Sequence, residues 1–203
     1  MADLLLASQN PGKLAEMRVL MDGLPFRVLG PADLGIQEAP EETGATFLEN
    51  AALKARHYSL RSGGLLTVAD DSGLSVEALG GSPGLYSSRF GGDGASDADR
   101  NRLLLERLRG VPPEARGARF TSAVTVARGQ QIVFEVEETV AGRIADAPRG
   151  ANGFGYDPLF FYPPFGSTFG EAAREEKDRV SHRGKAFARL RAFLAAPGAG
   201  AGA

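Results

Sequence analysis

Two adjacent aspartates, Asp70 and Asp71, are the strongest candidates for chemistry in this sequence. They follow the apolar segment Leu65–Ala69, which predicts a strand, and they precede Ser72 and Gly73. Neighbouring carboxylates repel each other unless a cation compensates them, and Mg²⁺ prefers carboxylate and phosphate oxygens. In an extended segment the two side chains point to opposite faces, so one can hold a metal ion or a lysine while the other meets substrate and water. The alternative is an acidic turn, for which Asp-Asp-Ser-Gly is suitable.

A second candidate is the turn between a buried strand predicted over residues 3–8 and the helix that follows it. This turn contains Ser8, Asn10 and Lys13 around a Pro-Gly pair. Free N–H groups at a helix N-terminus favour anions, and Lys13 adds a full positive charge, so the pattern indicates a phosphate site. The alternative is a capped helix start, with Asn10 as the N-cap and a solvated lysine.

Charged residues also lie on and before a helix predicted over residues 46–61. Glu41 and Glu42 precede it, and Lys54 lies on the side that carries its aromatic residues, so we expect Lys54 to point inward toward an anion. Either glutamate would complete a metal site with Asp71. The alternative for Glu42 is a favourable charge near the helix N-terminus.

The segment Gly153–Pro158 combines glycines with aromatic residues. Glycines let a flat ligand approach the backbone while an aromatic ring stacks on it. Phe154 and Asp157 therefore suggest a nucleobase site, with Phe154 stacking on the base and Asp157 contacting its polar groups. The alternative is core packing in a tight turn.

Donor side chains cluster near the C-terminus of the sequence. Lys177, His182 and Arg183 suit a base carbonyl or a phosphate. Ser181, which precedes two of them, is equally suited to capping a helix.

The elements that must position these residues alternate between strand and helix patterns, which predicts an α/β fold. Two alternating segments around Arg128-Gly-Gln-Gln131 predict a hairpin, so we expect a partly antiparallel sheet. A long acidic loop is predicted over residues 30–44. Strands are predicted at 3–8, 26–29, 65–69, 119–127, 132–140 and 142–146, with 74–79 extended, and helices at 46–61, 97–109 and 181–195, besides the one after Lys13.

Composition restricts the class of protein. The chain has 203 residues, no cysteine and a net charge of −2, with 23 basic and 25 acidic residues interspersed. We expect one domain over residues 1–196 and a disordered Ala/Gly tail over 197–203. The charge balance argues against a nucleic-acid-coating surface. The absence of a long apolar run, a signal peptide or cysteine leads us to expect a cytoplasmic protein without a membrane anchor.

Six motifs, in sequence and spacing, resemble the inosine/xanthosine triphosphate pyrophosphatase family, and the resemblance runs from residue 4 to about 195. It implies an elongated α/β fold with a mixed parallel and antiparallel central sheet, two lobes with a cleft between them, and a homodimer. It also implies Mg²⁺-dependent hydrolysis of ITP, dITP and XTP to the monophosphate and pyrophosphate. The motifs are Ser8-x-Asn10-x-x-Lys13; Glu41-Glu42-Thr43-Gly44 with Glu49-Asn50-Ala51 and Lys54-Ala55-Arg56; Ala69-Asp70-Asp71-Ser72-Gly73-Leu74; Gly80-Gly81-x-Pro83-Gly84-x-Tyr86-Ser87; Phe154-Gly155-Tyr156-Asp157-Pro158; and Ser181-His182-Arg183-Gly184.

The resemblance also implies roles for individual residues. Asp71 would be the general base and a metal ligand, supported by Asp70 and by Glu42. Glu41 is the alternative to Glu42 as the glutamate that reaches the metal. Ser72 would contact substrate. One departure is that Ser8-Gln9 stands where the family often has Thr-Gly. The remaining implied contacts are Ser8, Gln9, Asn10, Pro11, Gly12, Lys13 and Lys54 for the triphosphate, and Phe154, Gly155, Tyr156, Asp157, Lys177, His182 and Arg183 for the base.

Two other functions use the same residues. A non-catalytic nucleotide sensor would need the base platform and the lysines, but it has no need for clustered carboxylates beside a triphosphate unless metal is bound. A pyrophosphatase acting on another nucleotide would differ only in base recognition.

Overall fold

Seven strands form one mixed sheet within residues 1–92 and 94–196, the part of the chain described by this computed structural model. The strand order is β2-β1-β3-β4-β5-β6-β7, where the bounds are β1 Ala2–Leu6, β2 Phe26–Leu29, β3 Leu66–Val76, β4 Gly117–Arg128, β5 Gln131–Ile144, β6 Phe160–Tyr162 and β7 Ser167–Thr168. The helices are α1 Pro11–Leu20, α2 Phe47–Arg61, α3 Asp97–Arg107, α4 Arg174–Val180 and α5 His182–Ala195.

The sheet is parallel at one end and antiparallel at the other. β1 pairs in parallel with β2 and with β3, in register Leu4 with Val28 and Leu5 with Thr67. β6 pairs antiparallel with both β5 and β7. A two-residue turn joins β4 to its neighbour β5, which confirms the predicted hairpin. The predicted mixed α/β fold is therefore confirmed.

The chain divides into two compact units. Unit 1 comprises Met1–Asp71, Ser122–Glu138 and the described residues from Arg183 on, and unit 2 comprises Ser72–Thr121 and Thr139–His182. One two-lobed domain over residues 1–196, with a cleft, stays a prediction. The predicted disordered tail, residues 197–203, lies outside the described residues.

Unit 1 has apolar layers on both faces of its strands. Leu4 and Leu6 of β1 pack with Met17 of α1 and Phe187 of α5, whereas Leu5 belongs to a second cluster with residues of α2. Side chains alternate along a strand, and consecutive leucines are buried only when both faces are covered. The continuous apolar run of β1 therefore reflects helices on both faces.

Unit 2 encloses a separate apolar cluster. Phe120, Phe160 and Phe169 pack ring against ring, with centroid separations of 4.5–6.4 Å. Leu104 of α3 is fully buried in the same cluster. This core supports α3 and the segment that follows β5.

Two predictions about elements were wrong, and α4, β6 and β7 were not predicted. β3 continues unbroken from Leu66 to Val76, so the acidic pair lies inside a strand, neither at its end nor in a turn. β5 runs to Ile144, so residues 142–146 do not form a strand of their own. α4 was not predicted, because its inward-facing buried residue is Lys177, not an apolar one.

No helix in the described part of the chain has the length and apolar character that crossing a bilayer requires.

Candidate active site

The turn after β1 is a capped helix start that also carries an inward-pointing lysine. Asn10 Oδ1 accepts a hydrogen bond from the Lys13 amide at 3.0 Å, and the Asn10 amide donates to Ser8 Oγ at 3.2 Å. The N-cap role of Asn10, which belonged to the alternative interpretation of this turn, is therefore confirmed, with Pro11 in the first turn of α1. The alternative of a solvated Lys13 is wrong, since its ammonium lies 3.0 Å from Asp70 Oδ2 and its side chain is only 16% exposed.

Neighbouring residues complete this turn. Pro11 is exposed and Gly12 is half-buried, so backbone at the start of α1 is accessible. Gln9 is exposed and its side chain donates to the Gln37 carbonyl at 2.7 Å. The side chain that replaces the family's frequent glycine thus connects the turn to the long loop before α2.

Asp70 is buried among cations. Its Oδ2 lies 3.0 Å from the Lys13 ammonium and 3.2 Å from the Arg183 guanidinium, and its Oδ1 accepts a hydrogen bond from Ser122 Oγ at 2.5 Å. Burial favours the neutral acid, but Arg183 and Lys13 outweigh it and hold the pKa of Asp70 well below its ordinary value. Asp70 is therefore a fixed anion.

Arg183 belongs to unit 1 and forms the centre of a buried charge network. Its guanidinium pairs with Asp70 and also with Glu16 of α1, and all three residues are at most 5% exposed. Burial lowers the pKa of Lys13 despite the nearby charge of Asp70. Arg183 had been expected to contact the base, whereas its guanidinium here neutralises carboxylates in the described structure. Glu16 was missed, although it lies one turn after Lys13 on the same helix.

Asp71 has different partners because adjacent strand residues face opposite sides. The Lys54 ammonium lies 2.7 Å from Asp71 Oδ1 and 3.0 Å from Glu42 Oε1. The prediction that Lys54 points inward to an anion is confirmed. Burial raises the pKa of Asp71 above its ordinary value, and Lys54 only partly opposes this. Asp71 is thus the more easily protonated carboxylate of the pair.

The donor set around Lys54 fits a hard divalent cation. Asp71 and Glu42 each direct an oxygen to within 3.0 Å of one ammonium nitrogen, so both face a common point. Mg²⁺ is commonly held by one or two carboxylates together with substrate phosphates. Glu41 is exposed, which favours Glu42 over Glu41 as the glutamate that reaches the metal. Among the described residues, no group of three or more metal-ligating side chains occurs, so phosphate oxygens would have to supply further ligands.

The loop that presents Glu42 is fixed by Asn50, which was not among the predicted site residues. The buried Asn50 Oδ1 accepts a hydrogen bond from the Gly44 amide at 2.7 Å. A Cβ on Gly44 would lie 2.7 Å from that oxygen, so the close approach requires glycine. Thr46 caps α2 beside it, accepting from the Glu49 amide at 3.1 Å. These contacts fix the loop two residues after Glu42.

Asp157 organises the aromatic segment of unit 2. Its Oδ2 accepts hydrogen bonds from the Phe154 amide at 3.0 Å and the Lys177 ammonium at 2.8 Å. The same ammonium lies 5.6 Å from the centre of the Phe154 ring, within cation–π distance. Gly153 has a φ of +74°, and a Cβ there would lie 2.0 Å from Asp157 Oδ2. The predicted residues Phe154, Asp157 and Lys177 therefore form one cluster.

Three other predicted contacts lie in unit 2. Tyr156 is 5% exposed and donates from its hydroxyl to the Ser87 carbonyl at 2.8 Å, so it anchors the segment in the core. His182 stacks on Phe120 with 4.6 Å between ring centroids. Ser72 is half-buried in β3, directly after Asp71.

Comparison with known proteins places these clusters in a family. The Ham1 family model matches residues 4–193. This chain belongs to the Ham1 family. It is 50% identical over 192 residues to a dITP/XTP pyrophosphatase of Thermus thermophilus, covering 95% of this chain and 90% of that protein. It is 47% identical over 191 residues to the enzyme of the same name from Yersinia pseudotuberculosis, covering 92% and 95%.

Solved Ham1 structures have the same fold. A HAM1 protein from Coxiella burnetii is 40% identical and superposes with a TM-score of 0.85, covering 96% of this chain and 98% of that one. A nucleoside-triphosphatase/dITP/XTP pyrophosphatase from Mycobacterium abscessus is 45% identical with a TM-score of 0.72, covering 93% and 98%.

In this Ham1-family chain the predicted residues fall into two groups. Contacts within unit 1 join Lys13, Asp70 and Arg183, and Lys54, Asp71 and Glu42, and contacts within unit 2 join Phe154, Asp157 and Lys177. Unit 1 contains Ser8, Gln9, Asn10, Pro11, Gly12, Lys13, Glu41, Glu42, Lys54, Asp70, Asp71 and Arg183, and unit 2 contains Ser72, Phe154, Gly155, Tyr156, Asp157, Lys177 and His182.

Proposed function

We propose that this chain hydrolyses non-standard purine nucleoside triphosphates, ITP, dITP and XTP, to the monophosphate and pyrophosphate, in a Mg²⁺-dependent reaction. The observation that carries the proposal is the unequal environment of two adjacent carboxylates, Asp70 among cations and Asp71 beside Lys54 and Glu42. Relatives that are 50% and 47% identical to this chain are named dITP/XTP pyrophosphatases, which supports the substrate class.

The triphosphate would be bound by cations that the chain already holds in place. Lys13 and Lys54 are paired with carboxylates, so each ammonium is positioned before substrate arrives. The start of α1 adds the positive end of a helix dipole, with the Gly12 amide beside Lys13. Phosphate oxygens would replace the carboxylate oxygens around Lys54 and would add to Asp70 around Lys13.

Asp71 and Glu42 would hold Mg²⁺, which when bound offsets charge on the phosphate oxygens. Asp71 would accept a proton from the attacking water, whose oxygen forms the new bond to the α-phosphorus. The bond from that phosphorus to the bridging oxygen breaks, and the electron pair leaves with pyrophosphate. The raised pKa of Asp71 supports this role, whereas the depressed pKa of Asp70 does not. Asp70 would instead hold Lys13.

Purine recognition would use the unit 2 cluster. Phe154 provides a ring for stacking, and the Lys177 ammonium and the His182 ring provide donors suited to a 6-oxo group. A site with buried donors rejects adenine because the 6-amino group leaves those donors unpaired. Guanine shares the 6-oxo group, so GTP must be compared directly.

The test is pyrophosphate release from ITP, XTP, GTP, dUTP and ATP, each with and without Mg²⁺. We expect ITP and XTP to be hydrolysed with Mg²⁺ and Asp71→Asn to abolish turnover. Binding of ITP without turnover would favour a nucleotide sensor, and faster hydrolysis of dUTP would favour a pyrophosphatase for another base. Release of orthophosphate would overturn the proposed scissile bond.

We also propose a cytoplasmic homodimer that acts on free nucleotides and does not bind nucleic acid. The family resemblance supports the dimer, and the net charge of −2 gives no excess of cations for coating a polyanion. Sedimentation equilibrium tests the dimer, and a monomeric mass would overturn it.

A further inference from the structure

Two side chains of α3 hold the backbone of Gly155, the second residue of the segment Phe154–Asp157. Asp97 Oδ2 accepts a hydrogen bond from the Gly155 amide at 2.7 Å. Asn101 Nδ2 donates to the Gly155 carbonyl at 3.0 Å. Asp97 and Asn101 are four residues apart on a helix, so they lie on one face and reach both polar groups of a single residue.

We propose that Asp97 and Asn101 are positioning residues that fix the base-binding segment Phe154–Asp157. This inference rests on the proposed function, because it assigns their role to nucleotide recognition. The Gly155 amide belongs to the peptide shared with Phe154, and the Gly155 carbonyl to the peptide shared with Tyr156. The pair, here called the Gly155 clamp, therefore fixes both peptide planes beside the stacking residue.

Gly155 is the residue of this segment that most needs external support. Tyr156 is anchored to the Ser87 carbonyl, and the Phe154 amide is anchored to Asp157. Gly155 has a φ of +63°, and a Cβ there would meet no atom within 4 Å. Glycine has the greatest conformational freedom of any residue, and here little packing restricts it. Hydrogen bonds must then supply the restriction.

The space beside the segment is open. A cavity of about 600 Å³ is lined by both clamp residues together with Phe154, Gly155 and Pro158. Side chains that face such a cavity lose part of the packing that normally fixes them. The Gly155 clamp thus takes the place of packing on this side of the segment.

The clamp itself is held by a rigid helix start. Asp97 Oδ1 pairs with Arg100 at 2.6 Å, which leaves Oδ2 directed at Gly155. Ser96 caps α3 and exchanges hydrogen bonds with Asp99 in a capping box. Asn101 is 5% exposed. Both clamp side chains therefore have restricted rotamers.

The test compares a ligand that has a base with one that has none. Asn101→Asp is isosteric but replaces the donor with an oxygen. We expect it to raise the KM for ITP at least about 10-fold, because one lost buried hydrogen bond accounts for that factor and the new carboxylate oxygen also repels the Gly155 carbonyl. The kcat should change less than about 2-fold. The inhibition constant of inorganic tripolyphosphate, which has no base, should stay the same. Asp97→Asn keeps an acceptor oxygen and should resemble the unmodified chain more closely than Asp97→Ala does.

Asp99→Ala is the matched control, since it weakens the same helix start without contacting Gly155. It should leave the ratio of ITP KM to tripolyphosphate inhibition constant unchanged. Equal weakening of both ligands by Asn101→Asp, or no weakening of either, would overturn the positioning role.

Hydrogen exchange makes the clamp testable without turnover. The Gly155 amide should exchange faster in Asp97→Ala than in Asp99→Ala, and equal rates would show that the clamp does not hold it. If the unmodified chain releases no pyrophosphate from ITP, the proposed function fails. The exchange rate of the Gly155 amide and the dissociation constant for ITP, each compared between the variants, would then still test whether Asp97 and Asn101 position the segment.

Discussion

Replacing Gly153 with alanine should displace the carboxylate that organises the aromatic segment. Gly153 has a φ of +74°, and a Cβ would lie 2.0 Å from Asp157 Oδ2. That oxygen accepts from the Phe154 amide at 3.0 Å and the Lys177 ammonium at 2.8 Å. An ordinary Cβ contact begins near 3.4 Å, so the oxygen must retreat by more than 1 Å. Both hydrogen bonds would then be lost or strongly weakened.

The size of the effect has two parts. A left-handed conformation costs a non-glycine residue about 1–2 kcal/mol. Weakening the two hydrogen bonds that share the buried Asp157 oxygen is counted as the loss of one, which costs about 1.5–3 kcal/mol. We therefore expect Gly153→Ala to lower the free energy of unfolding by about 2.5–5 kcal/mol. Gly166→Ala should lower the free energy of unfolding only by the cost of the left-handed backbone conformation, because Gly166 has a φ of +65° and a Cβ there would meet no atom within 4 Å.

Urea denaturation of both variants measures the difference between their free energies of unfolding, which should be about 1.5–3 kcal/mol. Because Phe154 and Lys177 lose a common anchor, the KM for ITP should rise about 10- to 150-fold in Gly153→Ala if that difference is expressed in binding. Gly166→Ala should leave this KM nearly unchanged. Equal destabilisation and equal KM values in the two variants would refute the reasoning.

Three further predictions concern the buried charges of unit 1. Asp70→Asn removes the anion 3.0 Å from the Lys13 ammonium, whose pKa burial already lowers. Without that anion the pKa of Lys13 should fall further, and the charged ammonium is present only below this pKa. The alkaline limb of the kcat/KM profile should therefore move to lower pH, and an unmoved limb would contradict this. Glu16→Gln removes a carboxylate that neutralises buried Arg183, so urea denaturation should show a free energy of unfolding lower by about 3–5 kcal/mol. A decrease of less than about 1 kcal/mol would count against the charge network. Ser122→Ala removes the hydroxyl that donates to Asp70 at 2.5 Å, so it should lower the free energy of unfolding by about 1–3 kcal/mol. In a double-mutant cycle, the same substitution made in the Asp70→Asn background should lower it much less. An equal cost in both backgrounds would show that the two side chains are not coupled.

Elements with a complete local signal were predictable from the sequence. β2 was predicted at its observed bounds, and α2 begins one residue after the predicted start because Thr46 is its N-cap. A capping residue, a periodic apolar side and a following glycine pair all lie within that segment. The inward position of Lys54 followed from the same periodicity.

The course of β3 was not predictable because its stability depends on distant residues. Asp-Asp-Ser-Gly is turn-forming when considered locally. In the fold, Lys13, Lys54 and Arg183 neutralise the two aspartates, and they come from three separate helices. The strand continues because these cations make burial of the carboxylates tolerable.

The positioning residues were missed for a related reason. Asn101 is 54 positions from Gly155 and Asp97 is 58, and both bind backbone groups that have no side-chain signature. Glu16 was hidden because its partner Arg183 comes from the last helix. A sequence motif identifies residues that contact substrate more readily than those that hold the contacting segment.

The unequal partners of Asp70 and Asp71 also determine which of them can accept a proton. Asp70 lies between two cations and a hydroxyl donor, so protonating it would break a balanced buried network. Asp71 has one ammonium at 2.7 Å, shared with Glu42, and burial raises its pKa. If a phosphate draws Lys54 away, Mg²⁺ held by Asp71 and Glu42 would replace its charge there, while Lys13, Arg183 and Ser122 would still hold Asp70. Asp71 would therefore remain the carboxylate of the pair that more readily accepts a proton from water.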